Sequence, residues 1–230
     1  MVFQSRHESG MRSHRAKKSL GQHFLVDRAV LGRIIKAADI SDDDTVVEIG
    51  AGRGFLTDKL LSCARNVVAV ELDDSLARNL EDKYRACDNL TVVRADARHL
   101  ELSSLVPDGV VYKVVANLPY YAASPIIRRF IEAVCKPKLM VVMVQREVAR
   151  NMVATPGDMG ILSVAIQLYG RPKMVCLVSP RAFRPVPKVT SAVVRIDVYS
   201  QPALTFNQTE NFFKLVKAGF STPRKQIRNS

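Results

Sequence analysis

No apolar run in this 230-residue chain approaches the roughly 18–20 residues that a membrane-spanning helix needs. The Arg-, His- and Ser-rich start has no apolar h-region, so it does not read as a secretory signal. Cysteine is scarce. Cys63, Cys87, Cys135 and Cys176 are scattered with no Cys-x-x-Cys pair, which fits free thiols in a reducing cytosol rather than disulfides or zinc. His7, His14, His23 and His99 show no metal-ligand spacing either, so no metal is expected. Acidic residues are outnumbered, 22 against 34 Lys and Arg, for a net charge of +12. Between Met159 and Ile196 there is no Asp or Glu at all, while Arg171, Lys173, Arg181, Arg184, Lys188 and Arg195 are present. That imbalance favours an acidic partner, and nucleic acid is the usual one, although a solvated basic surface would look the same. A hydrophobic content of 47% argues against disorder. The length suits one α/β domain with a small appendage.

What is present begins with a strand, a glycine turn and a helix. Thr45–Ile49 is a short apolar run of strand type, Gly50-Ala51-Gly52-Arg53-Gly54 follows at once, and Phe55 to Leu61 reads as a helix. Glycines let backbone approach a ligand, and a helix N-terminus offers free amides. The spacing is Gly-x-Gly-x-Gly, not the Gly-x-Gly-x-x-Gly of dinucleotide sites, which disfavours a nicotinamide dehydrogenase. A second strand, Asn66–Leu72, carries Glu71, 21 positions after Gly50, where an acid can accept both hydroxyls of a ribose. The competing reading of Glu71 is a surface acid opening the helix that Asp73 or Asp74 caps. A third strand, Leu90–Arg94, leads to Asp96, which suits an adenine amino group or a plain turn.

The fourth strand, Val110–Ala116, runs into Asn117-Leu118-Pro119-Tyr120. Open α/β sheets bind ligands at such strand ends. An exocyclic adenine amine is a poor nucleophile because its lone pair is delocalised into the ring. The Asn117 amide oxygen and the Leu118 carbonyl can accept both amine hydrogens and localise that pair. Pro119 fixes φ and pushes Leu118 toward an extended conformation, projecting its carbonyl. Tyr120 offers a face on which a flipped base can stack, worth about 1–3 kcal/mol. A turn with a core tyrosine is the bland alternative.

Leu139–Val144 is a fully apolar fifth strand. Gln145–Val153 and Ile161–Tyr169 read as helices, and Lys173–Val178 and Ser191–Val198 as the last two strands. Between those strands, residues 179–188 form a basic loop stiffened by three prolines. It could hold Phe183 over a base while Arg181, Arg184 and Lys188 meet phosphates, unless Phe183 is tucked into the core. Phe212, Phe213, Leu215, Val216 and Phe220 mark a last amphipathic helix, before a basic tail with Arg224, Lys225 and Arg228. Near the start, Lys17 and Lys18 form a basic leader, and Val30, Leu31, Ile34, Ile35 and Ala38 give a helix that Asp27 would cap.

Together these stretches resemble the ribosomal RNA adenine dimethyltransferases. Ser19–Asp27 is similar to the family's leader motif, with His23 where the usual form has asparagine. Glu48–Gly54 resembles its S-adenosylmethionine loop, and Glu71, Asp96 and Asn117 fall at its ribose, adenine and catalytic positions. Gln145–Ala149 and Phe183–Val189 are close to its family-specific signatures. The resemblance implies a Rossmann-like class I methyltransferase, α/β, with a seven-stranded mostly parallel sheet in the order 3-2-1-4-5-7-6 and helices on both faces. It implies S-adenosyl-L-methionine as cofactor, held by His23, Leu25, Gly50, Ala51, Gly52, Glu71, Leu72, Asp96, Ala97 and Asn117. Asn117, Leu118, Pro119, Tyr120 and Phe183 would form the catalytic set. Lys17, Lys18, Arg181, Arg184, Lys188, Arg224, Lys225 and Arg228 would face RNA.

The expected organisation is a disordered basic tail over residues 1–16, the methyltransferase domain over 17–205, and over 206–230 the start of a C-terminal helical region cut short at Ser230. The expected substrate is small-subunit rRNA in an immature 30S-type particle, methylated in the cytoplasm by a monomer with no membrane attachment. Two alternatives keep the same fold: a large-subunit rRNA methyltransferase of the macrolide-resistance type, and a non-catalytic RNA-binding factor.

Overall fold

The computed structural model describes residues 16–17, 20–201, 204 and 206–221. Most of the expected N-terminal tail, Lys18, and the tail cations Arg224, Lys225 and Arg228 lie outside the described residues. A short strand β1 (Phe24–Leu25) leads into helix α1 (Arg28–Ala38). Asp27 caps that helix through its carboxylate, which accepts the amides of Ala29 and Val30. Then strands and helices alternate: β2 (Thr45–Ile49), α2 (Phe55–Leu61), β3 (Asn66–Glu71), α3 (Asp74–Lys83) and β4 (Leu90–Arg94). There follow β5 (Tyr112–Asn117), α4 (Ala123–Ile131), β6 (Leu139–Gln145), α5 (Arg146–Met152) and α6 (Ile161–Tyr169). The chain closes with β7 (Gly170–Val178), β8 (Phe183–Arg184), β9 (Ser191–Val198) and α7 (Phe206–Phe220).

Seven strands form one sheet in the order β4-β3-β2-β5-β6-β9-β7, which is the expected 3-2-1-4-5-7-6. The first five are parallel, and β9 runs antiparallel between β6 and β7. The near-continuous apolar runs follow from burial on both faces. Along β5, Tyr112, Val114 and Ala116 join the core under α4, α5 and α6, while Val115 joins the core under α1 and α2. In β6, Met140, Val142 and Val144 take the first side and Leu139, Val141 and Met143 the second. Each such fully buried side chain stabilises the fold by roughly 1.5–3 kcal/mol.

Two strand starts differ from the sequence pattern. Strand β5 starts at Tyr112, because Gly109 turns the chain at φ 79° and leaves Val111 exposed. Strand β7 starts at Gly170, since its pairing with β9 begins at Val198 and runs through Pro172 on an edge strand.

The arrangement fixes the position of the site. From β2 the chain steps outward through β3 to β4, then returns to lay β5 on the other side of β2. A crevice opens at that reversal, outside the carboxyl ends of β2 and β5. Ile49 is in register with Ala116, so Gly50 and Asn117 emerge side by side.

Candidate active site

At Gly50 the backbone turns with φ 76°, and a Cβ built there would stand 3.0 Å from the Asn117 carbonyl oxygen. Only glycine lets the two strand ends meet this closely. They open onto a cleft lined among others by Gly52, Glu71, Leu72, Asp96, Asn117 and Tyr120. Apolar walls with a few convergent polar groups are the lining of a small-molecule site. A second recess shares Gly50, Gly52 and Asn117 with it and continues past Leu25 to Glu48.

Glu71 ends β3 with its carboxylate buried at the cleft wall. Its two oxygens accept the Gly52 amide at 2.8 Å and the Asp73 amide at 2.9 Å. Burial pushes this carboxyl above its ordinary range, and those two amides work against the rise. Asp96 lines the cleft just beyond the neighbouring strand β4. Its carboxylate is gripped by Arg98 through Nε and Nη2, the latter at 2.6 Å, and this holds the group below the usual range. The Arg98 guanidinium in turn lies 5.5 Å from the Tyr121 ring centre.

Asn117 stands half-buried on the cleft. Its Nδ2 donates to the His23 carbonyl at 3.2 Å. Leu118 is buried, and its amide donates to the Met143 carbonyl at 3.1 Å. The turn is closed by Ala122, whose amide bonds the Pro119 carbonyl. Tyr120 is held at two points. Its hydroxyl is 2.7 Å from Ser191 Oγ, and its ring stacks on His23 with centres 5.8 Å apart and planes 25° from parallel. Burial raises the Tyr120 phenol above its ordinary value, with the Ser191 bond opposing. The His23 ring is itself fixed, because Nδ1 donates to the Pro185 carbonyl at 2.8 Å.

Several expected residues need correction. Phe183 is not presented from a loop: it is 1% exposed, forms β8 with Arg184, and pairs with Leu25 of β1. Its ring belongs to the core beneath α1 and only borders the cleft. Ala51 contributes backbone alone, because its side chain packs with Ala69, Leu80 and Tyr84. Leu25 faces the second recess and the core rather than the main cleft. Lys17 is not free for a phosphate. Its ammonium pairs with buried Asp73 at 2.9 Å, and Gln22 bonds the same oxygen. Gly50, Gly52, Glu71, Leu72, Asp96, Ala97, Asn117 and Tyr120 do converge, with His23 beside them.

The sequence reading did not single out Asp73, Arg98, Tyr121 or Ser191 as site residues. Asp73 caps α3 as expected, but it also clips the leader to the cleft rim through Lys17 and Gln22. Nothing in the local pattern marks that second role. Arg181, Arg184 and Lys188 are exposed on the stretch beside Phe183, with Arg184 Nη1 donating to the Arg181 and Phe183 carbonyls. Next to them a wide polar groove is lined by Gln145, Arg146, Arg150, Asn151 and Thr190.

Comparison with known proteins agrees with this geometry. The sequence pattern of the ribosomal RNA adenine dimethylases matches residues 13–230. The chain belongs to that family. Among its relatives, the ribosomal RNA small subunit methyltransferase A of Dehalococcoides mccartyi is 45% identical over 94% of this chain and 74% of its own length. That of Alkaliphilus oremlandii is 40% identical over 93% of this chain and 76% of its own. A dimethyladenosine transferase from Plasmodium falciparum superposes with a TM-score of 0.78 at 31% identity, covering 88% of this chain and 72% of that one. The 23S rRNA methyltransferase ErmE superposes with a TM-score of 0.76 at 31% identity, covering 89% and 81%.

The protein is thus a class I methyltransferase that uses S-adenosylmethionine, and its cleft suits that molecule. A nucleoside needs acceptors for ribose hydroxyls and for an amine, and Glu71 and Asp96 both line the cleft, at the ends of the neighbouring strands β3 and β4. Gly50 keeps a side chain out of the point where the two strand ends meet. Among the described residues no helix is long and apolar enough to cross a membrane, and no cluster of metal-ligating side chains occurs.

Proposed function

We propose that this chain dimethylates the exocyclic amines of two adjacent adenines near the 3′ end of 16S rRNA. The observation that carries the reading is the Asn117 amide. Its nitrogen is tethered to the His23 carbonyl at the lining of the cleft it shares with the glycine turn, and we assign its oxygen to the adenine amine. Glu71, braced by the Gly52 amide, holds the ribose, Asp96 and Leu72 the adenine, and Gly50 lets the chain approach the methionine part. S-adenosylmethionine supplies an electrophilic methyl group there.

The target adenine leaves its stack, at a cost of a few kcal/mol, and stacks on the open face of Tyr120. Asn117 Oδ1 and the Leu118 carbonyl accept the amine hydrogens and aim the lone pair. Holding the nucleophile at near-attack distance supplies several kcal/mol of the barrier reduction. No side chain needs to act as base, because a methylated aminium sheds its proton readily to water. The exposed cations Arg181, Arg184 and Lys188, with Arg146 and Arg150 of the neighbouring groove, offer phosphate contacts.

The substrate is an immature 30S-type particle, met in the cytoplasm by a single copy of the chain. Relatives at 40–45% identity named for the small subunit favour this over a large-subunit target. The intact Asn117–Tyr120 turn favours an enzyme over a binding factor. Small and large subunits from a strain lacking the modification test the reading, with methylated adenines mapped by primer extension. Two adjacent stops near the 3′ end of 16S rRNA are expected; stops confined to 23S rRNA would contradict it.

A further inference from the structure

We infer that Ser191 is a positioning residue that holds Tyr120 at the setting which admits an already methylated amine, so that it governs the second methyl transfer more than the first. The inference rests on the reading of Tyr120 as the platform for the flipped base.

Ser191 touches none of the reacting groups, yet its own place is tightly fixed. It is fully buried and opens β9, where it stands in register with Gln145 of β6 on one side and Val178 of β7 on the other. Its Oγ meets the Tyr120 hydroxyl at 2.7 Å. A phenol bonded at its para end has lost the swing of its ring about the Cα–Cβ and Cβ–Cγ bonds. The His23 ring covers one Tyr120 face and is immobilised by the Pro185 carbonyl. The base is left the opposite face, at a depth set by the Ser191 bond.

Each round forms one N–C bond and breaks one S–C bond; the S–C electrons stay on sulfur and an amine proton leaves to water. The two rounds differ in shape. In the first, both amine hydrogens point at acceptors. In the second, one is replaced by a methyl, which must turn aside before the lone pair again faces the donor. A platform that drifts toward the amine closes that space while still accommodating the unmethylated amine. Misplacement of about 1 Å can cost on the order of a hundredfold in rate. The bulkier secondary amine meets the loss first.

The test compares Ser191→Ala, Tyr120→Phe and the double variant in the full chain, acting on small subunits that lack the modification. Monomethyl- and dimethyladenosine are counted by mass spectrometry at equal total methyl incorporation. Both single variants delete the same bond and keep the ring. Each is expected to lower the dimethyl-to-monomethyl ratio about tenfold, and the double variant no further. Cofactor affinity of Ser191→Ala, measured by titration, is expected to be unchanged, which a general loss of structure would not allow. A wild-type ratio in both single variants would overturn the inference. Tyr120→Ala separates the two readings: loss of both transfers supports the platform, whereas wild-type products from it would overturn the platform itself.

Discussion

Glu48 is a carboxylic acid in the middle of β2 with almost no exposed surface. Burial pushes its carboxyl up to about 8; the nearby Glu71 and Asp58 charges add to the rise, and the Thr57 hydroxyl, donating at 2.7 Å, opposes it. The folded protein therefore holds this proton more tightly than the unfolded chain, whose glutamate titrates near 4.5. Folding stability is then full below that value and falls as pH rises through about 8. Each unit of separation is worth about 1.4 kcal/mol, so a few kcal/mol are lost in mildly alkaline solution. Glu48→Gln keeps the shape and a hydrogen-bond partner for Thr57 without the charge. Thermal unfolding followed from about pH 5 to pH 9 should fall less steeply for this variant than for the wild type. Equal slopes would show that Glu48 does not carry the effect. A glutamate inside an apolar run looks like a strand residue in the sequence. That it also adjoins the recess beside the cleft depends on how far the Gly50 turn carries the chain, which only tertiary packing reveals.

The turn between β2 and α2 sets the geometry of the cleft, and Gly54 ends it. Its φ is 80°, and a Cβ there would stand 2.5 Å from the Tyr84 hydroxyl. That hydroxyl lies 2.9 Å from the Gly54 carbonyl and 2.7 Å from Asp58, and it accepts from Lys83. Gly54→Ala must therefore shift α3 or the turn itself, and it adds the roughly 1–2 kcal/mol cost of a left-handed residue. A loss of about 2–3 kcal/mol in chemical denaturation is expected, with weaker cofactor binding. Gly32, exposed on α1 with nothing within 4 Å of its added Cβ, is the control. Gly32→Ala should stabilise by about 0.5–1 kcal/mol. The contrary result, a loss at Gly32 equal to that at Gly54, would deny the turn its special role.

At this scale much was legible beforehand. Strands β2, β4 and β9 and helices α2 and α6 begin and end where the pattern put them, because apolar runs and helical periods bounded by turn residues mark them. The two-residue strands β1 and β8 were not legible. Their pairing lies in backbone hydrogen bonds between residues 160 positions apart, and no side-chain period marks it. That pairing is also why Phe183 lies in the core at the border of the cleft.

Across the whole molecule, the reversal of strand order between β4 and β5 brings the glycine turn and the Asn117–Tyr120 turn to one cleft. The sequence named both turns and the acids Glu71 and Asp96, since each follows a recognisable strand. It did not show the links that set them in place: Asp73 to Lys17, Arg98 to Asp96, Ser191 to Tyr120, and the His23 carbonyl to Asn117. Those links join segments remote in sequence or hide within short local spacings, and they decide which atoms face the cleft.

The central claim is that one cleft holds the methyl donor and an extruded adenine, with the Asn117 side-chain oxygen serving the adenine amine. Its most direct test is Asn117→Ala, with cofactor affinity measured by titration and methyl transfer measured on small subunits lacking the modification. Cofactor affinity close to wild type with transfer abolished is the expected result. Loss of both in equal measure, or retention of transfer, would contradict it.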